Sequence, residues 1–494
     1  MGLVTPTAPV PFERLGRVHF AAIGGAGMSG IARIMLARGV PVSGCDSAPS
    51  DLLDQLAALG ARVWVGHSAE HLDSADTLVV SSAIRPDNPE LVQAAQRGIP
   101  VLHRAAALAS VMRGRRGIAV AGTHGKTTTT SMITSVLRRC GADPAYVIGG
   151  ILAETGLGAA DGDGDVFVAE ADESDGSFLM LAPDAAVVTC VEADHLDNYG
   201  SLDRIEAAFA DFADRIAPGG PLLTCADDPG ARRLARLVGD RGSAGSTAPR
   251  LVSYGEADEA DYWVADVRPA GLATEFTIVA GPRTALAGAD PVPIRIEVPG
   301  RHNALNAAAA FAMTVELGWP VPDVVAGLAG YQGAGRRMEL KGEADGVMVL
   351  DSYAHHPTEL AADLRAARDI VDGGRVIAVF QPHLFSRTRI FAAEFGAALD
   401  AADEIFVLDV YAAREDPEPG VTGALIADAV PGRRAVFYPG RASLPDAVAA
   451  LAKPGDLVLT MGAGDVTRLG PLIVAAIRTR SGGSGTAIPP GGEE

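Results

Sequence analysis

Lysine is almost absent from this chain. Lys126, Lys341 and Lys453 are the only three in 494 residues, and aspartate plus glutamate outnumber lysine plus arginine by 61 to 41. The resulting formal net charge of −20 excludes a broad basic face, and with it non-specific adhesion to nucleic acid. Any phosphate-bearing ligand must be held by backbone N–H groups and a few well-placed cations. Cysteine is sparse too. Cys45, Cys140, Cys190 and Cys225 show neither a C-x-x-C spacing nor a disulfide framework, so reduced thiols in a cytoplasmic protein are expected. No apolar stretch runs to about 18 residues without interruption, so no transmembrane helix and no membrane insertion are expected. The opening MGLVTPTAPVPFERLG lacks the charged-then-apolar order of a signal peptide.

What is present reads as ordinary globular protein, 48% hydrophobic and 21% charged, and long enough for two to four domains. Strand-like and helix-like runs alternate, which predicts an α/β fold with parallel sheets. RVHFAAI (17–23) is an apolar run ending in glycines, SGIARIMLARG (29–39) has helical spacing, and PVSGCD (41–46) and ADTLVVSSAI (75–84) read as further strands. A second unit opens near residue 113 with strand, glycine loop and helix over 115–141. Buried strands that end in acids follow at 165–172 and 185–194. The stretch 240–295, richer in Gly, Pro, Thr and Val, predicts antiparallel strands or a surface insertion. A third unit starts near Gly335, with strands at 346–357, 374–383, 403–410 and 455–464 whose ends carry polar residues, where doubly wound sheets bind ligands.

Two glycine loops carry the chemistry. AGTHGKTTT (121–129) sits between a strand and a helix. Its glycines let backbone N–H groups close around phosphate at a helix start, Lys126 can reach the β/γ-phosphates, and the Thr127 hydroxyl can bind Mg²⁺. Val120 stands where the strict phosphate-loop pattern has its first glycine, and an ordinary strand-to-helix turn would also accept these residues. Glu170 closes the strand VFVAE and His195 follows the next strand in EADHLD. Oxygen donors there suit Mg²⁺, whereas imidazole is a less usual ligand, so His195 reads equally as structural. The first loop, GGAGMSG (24–30), holds a literal G-x-G-x-x-G at Gly25, Gly27 and Gly30, with Asp46 at the end of the next strand. That is the dinucleotide fingerprint, but the motif says only that a diphosphate lies on a helix N-terminus, and a UDP-sugar carries one too.

In order along the chain come the GGAGMSGIA loop, GTHGKTTT, AEADESDGSF (169–178), EADHLDNY (192–199), GRHNALNAAAA (300–310), GAGRRME (333–339), DSYAHHPTE (351–359) and QPHLFSRTR (381–389). Together, over roughly residues 15–475, they resemble the Mur ligase family of ATP-dependent amide-bond-forming enzymes of peptidoglycan synthesis. Within it they resemble the branch that joins L-alanine to UDP-N-acetylmuramate. The resemblance implies a Rossmann-like UDP-sugar domain over 1–112, a central P-loop-type ATPase domain over 113–335, and a Rossmann-like C-terminal domain over 336–480, ahead of a disordered tail, 481–494.

The resemblance also implies roles. Gly25, Ala26, Gly27, Met28, Ser29, Asp46 and Ser82 would take the UDP-sugar. Gly122, Thr123, His124, Gly125, Lys126, Thr127 and Thr128 would take the phosphates of ATP. His302, Asn303 and Asn306 would face adenine, and Asp351 the ribose. Thr127, Glu170 and His195 would serve Mg²⁺, with Mn²⁺ as an alternative. Lys126, Arg336, His355 and Arg387 would be catalytic, and Tyr353 and His355 would adjoin the amino acid. GRHNALN also reads as a capped, alanine-rich helix, and HHP as a helix entry. Leu384 stands where many members have arginine, and no lysine lies between Lys126 and Lys341. The central domain therefore cannot supply the carbamylated lysine that later-acting sister ligases use. Three other readings stand beside this one: a murein-tripeptide recycling ligase, an NAD-dependent dehydrogenase, and a non-catalytic nucleotide-binding regulator.

Overall fold

The computed structural model describes residues 3–242, 248–371, 373–413 and 415–481. The tail expected over 481–494 lies, Ser481 apart, outside them. The chain forms two compact bodies, one drawn from Met1–Val267, Glu275–Glu297 and Asn303–Ala334, the other from Arg268–Thr274, Val298–His302 and Gly335–Glu494.

The first body holds two sheets. Five short strands, β1 (Val18–Ala21), β2 (Val42–Asp46), β3 (Arg62–Val65), β4 (Thr77–Val80) and β5 (Val101–His103), pair in the order β3-β2-β1-β4-β5, all parallel. The expected runs at 17–23, 41–46 and 75–84 contain β1, β2 and β4. The first helix, Ala26–Ala37, begins three residues earlier than its apolar spacing suggests, so Gly27 and Gly30 lie inside it. Glycine is a poor helix former, and close packing overrides that here. A Cβ on Gly30 would come within 3.0 Å of Ala159 Cβ, and one on Gly27 within 3.3 Å of Arg104 Nη1.

The second sheet comprises β6 (Arg116–Ala121), β7 (Ala145–Leu152), β8 (Leu157–Ala160), β9 (Val166–Glu170), β10 (Ala185–Val188), β11 (Pro221–Cys225), β12 (Arg250–Gly255), β13 (Tyr262–Ala270), β14 (Ala273–Ala280) and β15 (Val292–Ile296). Their order is β15-β14-β13-β12-β11-β10-β6-β9-β7-β8. Its centre is parallel and, apart from Arg116 and Glu170 at strand ends, buried, as the apolar composition of β6, β9 and β10 requires. In 240–295, β12 and β13 extend the sheet in parallel. The two residues that join the neighbours β13 and β14 are too few for a parallel crossover, so that pair is antiparallel. The β7–β8 hairpin, which the apolar pattern did not announce, packs against the helix Ala26–Ala37 and so ties the two sheets into one body.

The second body is one sheet of β16 (Glu339–Ala344), β17 (Val347–Ser352), β18 (Val376–Phe380), β19 (Glu404–Val407), β20 (Ala435–Phe437) and β21 (Leu457–Met461), in the order β16-β17-β21-β18-β19-β20. Only β16 runs antiparallel, along one edge. Alternate residues of the inner strands enter different cores. Leu350, Ala378, Phe380 and Leu459 lie on one face, and Val349, Ile377, Val379 and Val458 on the other. Helices cover both faces, as expected for a doubly wound unit.

Candidate active site

The second glycine loop is shaped by two positions where only glycine fits. Gly122 has φ +129°, and a Cβ there would strike Thr189 Oγ1 at 2.1 Å. Gly125 has φ +80° and opens the helix Lys126–Arg139, and a Cβ there would meet Asn306 Oδ1 at 2.7 Å. Asn306 in turn accepts from Thr129 Oγ1 at 3.2 Å and donates to Asn303 Oδ1 at 3.2 Å, which clamps the helix Arg301–Glu316 to the loop. Asn303 and Asn306 thus lie in the first body beside this glycine loop.

Lys126 Nζ donates to Gly122 O at 2.6 Å, to Thr123 O at 3.1 Å and to Glu173 Oε1 at 3.0 Å. Burial works against its charge, but Glu173, Glu170 and Asp172 outweigh that and hold its pKa above the ordinary lysine value. Thr127 Oγ1 donates to Glu170 Oε1 at 3.3 Å, while Glu170 Oε2 accepts the Gly149 N–H at 2.7 Å. His195, at φ +52°, sets its Nε2 4.0 Å from Glu173 Oε1 and 3.6 Å from Asp194 Oδ2. Burial pushes the Glu173 carboxyl up to about 7, with Lys126 opposing and Asp172 adding to the push. Asp172 is held well below the usual range by Arg104 and Lys126 although burial opposes this. Three carboxylates thus share one lysine and one arginine, an excess of negative charge beside the glycine loop. A hydroxyl and carboxylate oxygens are the hard donors that Mg²⁺ takes.

Sequence reasoning missed Glu173 and Arg104. Arg104 Nη2 binds Asp172 Oδ2 at 2.5 Å and lies close to Gly27, so it stands between the two glycine loops. Its signal was in the sequence: it is the first residue of the helix Arg104–Met112, where the helix dipole disfavours a cation, so an anionic partner was implied. Glu173 carried no such signal, because a turn after β9 decides which acid of AEADESD reaches Lys126.

At the first loop, Gly25 caps the helix Ala26–Ala37 in extended conformation with no side chain closing the end, and a Cβ there would have nothing nearer than 3.6 Å. Met28 and Ser29 donate their N–H groups to Gly25 O, as helix residues do. Asp46 Oδ2 accepts the Gly24 N–H at 3.0 Å and so orders the loop. Ser82 Oγ donates to Asp175 Oδ2 and lies 3.2 Å from His103 Nε2, at the seam between the two sheets.

In the second body, Arg336 (φ +61°) directs Nε to Asp351 Oδ2 at 3.3 Å and its guanidinium to the carbonyls of Gly462 and Ala463. Asp351 is fully buried and also accepts from Thr460 and Thr467 at 2.7 Å each. The Arg336 and Arg337 guanidiniums lie 4.8 and 5.3 Å from the Tyr353 ring centroid. His355 Nδ1 is 2.9 Å from Tyr353 O, and the His355 backbone N–H donates to Glu359 Oε2 at 2.9 Å. The rings of Tyr353, His355, His383 and Tyr411 follow one another at centroid distances of 5.2 to 6.0 Å. Arg387 is buried in the first turn of the helix Phe385–Leu399, and Leu384 precedes it at φ +71°. Arg336, His195 and Leu384 all hold conformations that side chains disfavour, the kind of strain that gathers at ligand sites. His302 belongs to this body, its Nε2 3.6 Å from Asp363 Oδ1, and burial holds its pKa below the ordinary value despite Asp363.

Three family models match: "Mur ligase family, catalytic domain" over 17–116, "Mur ligase middle domain" over 120–314, and "Mur ligase, glutamate ligase domain" over 336–464. Relatives include the UDP-N-acetylmuramate–L-alanine ligase of Thermobifida fusca, 57% identical over 97% of this chain and 100% of that protein. That of Acidothermus cellulolyticus is 54% identical over 96% and 97%. The crystal structure of UDP-N-acetylmuramate–alanine ligase from Thermotoga maritima superposes with a TM-score of 0.77 at 28% identity, covering 94% of this chain and all of that one. A murein peptide ligase from Psychrobacter arcticus shares the fold, at a TM-score of 0.67, 23% identity, and coverage of 96% and 100%. The first loop's G-x-G-x-x-G is thus part of a ligase scaffold and not the mark of a dehydrogenase, and the chain belongs to the Mur ligase family, among relatives that are UDP-N-acetylmuramate–L-alanine ligases.

Proposed function

We propose that this enzyme joins L-alanine to UDP-N-acetylmuramate at the expense of ATP, through an acyl phosphate. One observation carries the chemistry: Lys126, at the head of a buried helix and cradled by loop carbonyls, is ringed by carboxylates with the Thr127 hydroxyl on Glu170. The substrates are those of the relatives named above. The muramoyl carboxylate attacks the γ-phosphorus of ATP and ADP leaves. The alanine amine then attacks the acyl carbon and phosphate leaves. Lys126 neutralises charge growing on the transferring group. Thr127, Glu170 and His195 would hold Mg²⁺ (or Mn²⁺), which would supply electrostatic stabilisation of the transferring group. Gly122 to Thr128 cradle the phosphates, Asn303, Asn306 and His302 serve adenine, and Asp351 serves the ribose.

Arg336 and Arg387 are assigned as the further catalytic cations. His355, oriented through Nδ1, takes a proton from the alanine ammonium, and Tyr353 adjoins the amino acid. Residues 25–29, Asp46 and Ser82 take the UDP-sugar. The domain limits that go with this reading are 1–112, 113–335 and 336–480, and the place of work is the cytoplasm. Among the described residues no helix is long and apolar enough to cross a membrane. The reading is tested by following ADP release with UDP-N-acetylmuramate and a panel of amino acids, with NADH absorbance as control. Release should require both the UDP-sugar and L-alanine, with glycine and L-serine weaker, since one methyl discriminates by only about 1–3 kcal/mol. Preference for a tripeptide over free L-alanine would make it a recycling ligase instead.

A further inference from the structure

One face of the five-stranded sheet carries a cluster that the ligation chemistry does not use. The register pairs His19 with Ser43 and Cys45 with both Ala21 and Trp64, so His19, Ser43, Cys45 and Trp64 point to the same side. Val18 and Phe20, pointing the other way, enter the main core with the helix Ala26–Ala37. Among the described residues, the side that holds His19 is met by the short turn Ala69–Leu72 and the helix Pro89–Arg97. Its apolar contact is small, with a buried centre of Ala21, Leu72, Ala75, Leu78 and Ala94. Beside this thin layer His71, from the turn, and Glu90, from the helix, meet His19 and Cys45 from the strands.

The four donor atoms lie within 4.8 Å of one another. Glu90 Oε1 is 2.8 Å from Cys45 Sγ, 2.9 Å from His71 Nδ1 and 3.7 Å from His19 Nε2. His19, Cys45 and Glu90 are shut off from solvent. His19 Nδ1 lies 2.9 Å from Ser43 Oγ, which turns the ring so that Nε2 aims into the cluster, and that buried nitrogen has no hydrogen-bond partner. A histidine held through one nitrogen by a hydroxyl and presenting the other to a thiol and a carboxylate is arranged as metal-binding histidines are. Trp64 stacks on the His71 ring at 4.4 Å and 15°, and His67 Nδ1 sits 3.0 Å from Cys45 Sγ, where it can receive the thiol proton.

We propose that His19, Cys45, His71 and Glu90 bind one Zn²⁺ ion as a structural cross-link between the sheet and the layer that covers it. The donor set is one sulfur, two nitrogens and one oxygen. Zn²⁺ accepts it as a closed tetrahedron, whereas Mg²⁺ and Ca²⁺ require oxygens. Bond lengths of about 2.0–2.3 Å put tetrahedral donors roughly 3.3–3.8 Å apart, so small side-chain rotations suffice. Binding turns the Cys45 thiol into a thiolate and releases its proton. With all four positions filled by protein the ion has no place for substrate, which makes its role architectural.

The test uses the full-length protein, free of any affinity tag and stripped with a chelator. Titration with Co²⁺ alone should give one equivalent bound, with the d–d bands of a tetrahedral site and thiolate-to-cobalt charge transfer. Zn²⁺ should bleach these bands and change the fluorescence of Trp64. Cys45→Ser should abolish the charge transfer and weaken Co²⁺ binding by at least about tenfold, the loss that even an outer-sphere partner can cause. A wild-type protein that binds no Co²⁺ or Zn²⁺ at stoichiometry overturns the proposal whether or not the variant folds. So does a Cys45→Ser protein that keeps the wild-type spectrum and affinity.

Discussion

The two glycine loops of the first body make a natural experiment. Both follow a parallel strand, both open a helix at a glycine, and both point backbone N–H groups where a diphosphate can sit. Around Gly25 there is room for a Cβ at ordinary contact distance, no lysine in the loop, and a carboxylate, Asp46, spent on the loop's own backbone. Around Gly125 the packing is tight, and Lys126 stands amid Glu170, Asp172 and Glu173. On the proposed reading, a helix-start cradle binds phosphate in either place, but only the one with a buried cation and hard oxygen donors also transfers it.

The comparison breaks most visibly at Lys126. Lys126→Ala should cut turnover by at least about 10²–10³-fold, as losing one preorganised charge contact does, while UDP-sugar affinity measured by calorimetry stays at the wild-type value. Near-normal turnover would remove the distinction between the loops. A matched pair of glycine changes sharpens it. Gly125→Ala forces a side chain into φ +80° and against Asn306, and should cost about 1–3 kcal/mol in thermal unfolding. Gly25→Ala, at ordinary φ with nothing nearer than 3.6 Å, should cost under about 1 kcal/mol. Equal losses would mean that the two loops are packed alike.

A smaller effect concerns pH. Burial raises Glu173 to about 7, so the ligand-free fold favours its protonated form. The associated stability is present below the ordinary carboxyl pKa and is lost as pH rises through about 7. The melting temperature of ligand-free enzyme should therefore fall from pH 5 to pH 8, and more steeply than that of Glu173→Gln. Parallel curves would show that Glu173 titrates as an exposed acid does.

How much of this was legible beforehand follows from range. The alternation of strands and helices, both glycine loops and the acids at strand ends are local patterns, and the chain displays them directly. The start of the helix at Ala26 was hidden because Gly27 and Gly30 answer to Arg104 and Ala159, far away in sequence. The β7–β8 hairpin was hidden because Gly149, Gly150, Gly156 and Gly158 blur any two-residue alternation. The split of GRHNALN, with His302 in one body and Asn303 and Asn306 in the other, has no signature in a continuous helical run. The cluster of His19, Cys45, His71 and Glu90 is the extreme case, since its four donors are spread over 72 positions and meet only through strand register and the packing of a turn and a helix on the sheet.

The central claim is that the buried-cation loop transfers a phosphoryl group to the substrate carboxylate. A carboxylate and an amine do not condense usefully in water because the oxygen is a poor leaving group, and phosphorylation makes it a good one. If both oxygens of the muramoyl carboxylate are replaced by heavy oxygen and the enzyme is supplied with ATP and L-alanine, mass spectrometry of the released phosphate should find one labelled oxygen per turnover. Label recovered in AMP, or in no product but the amide, would contradict the account.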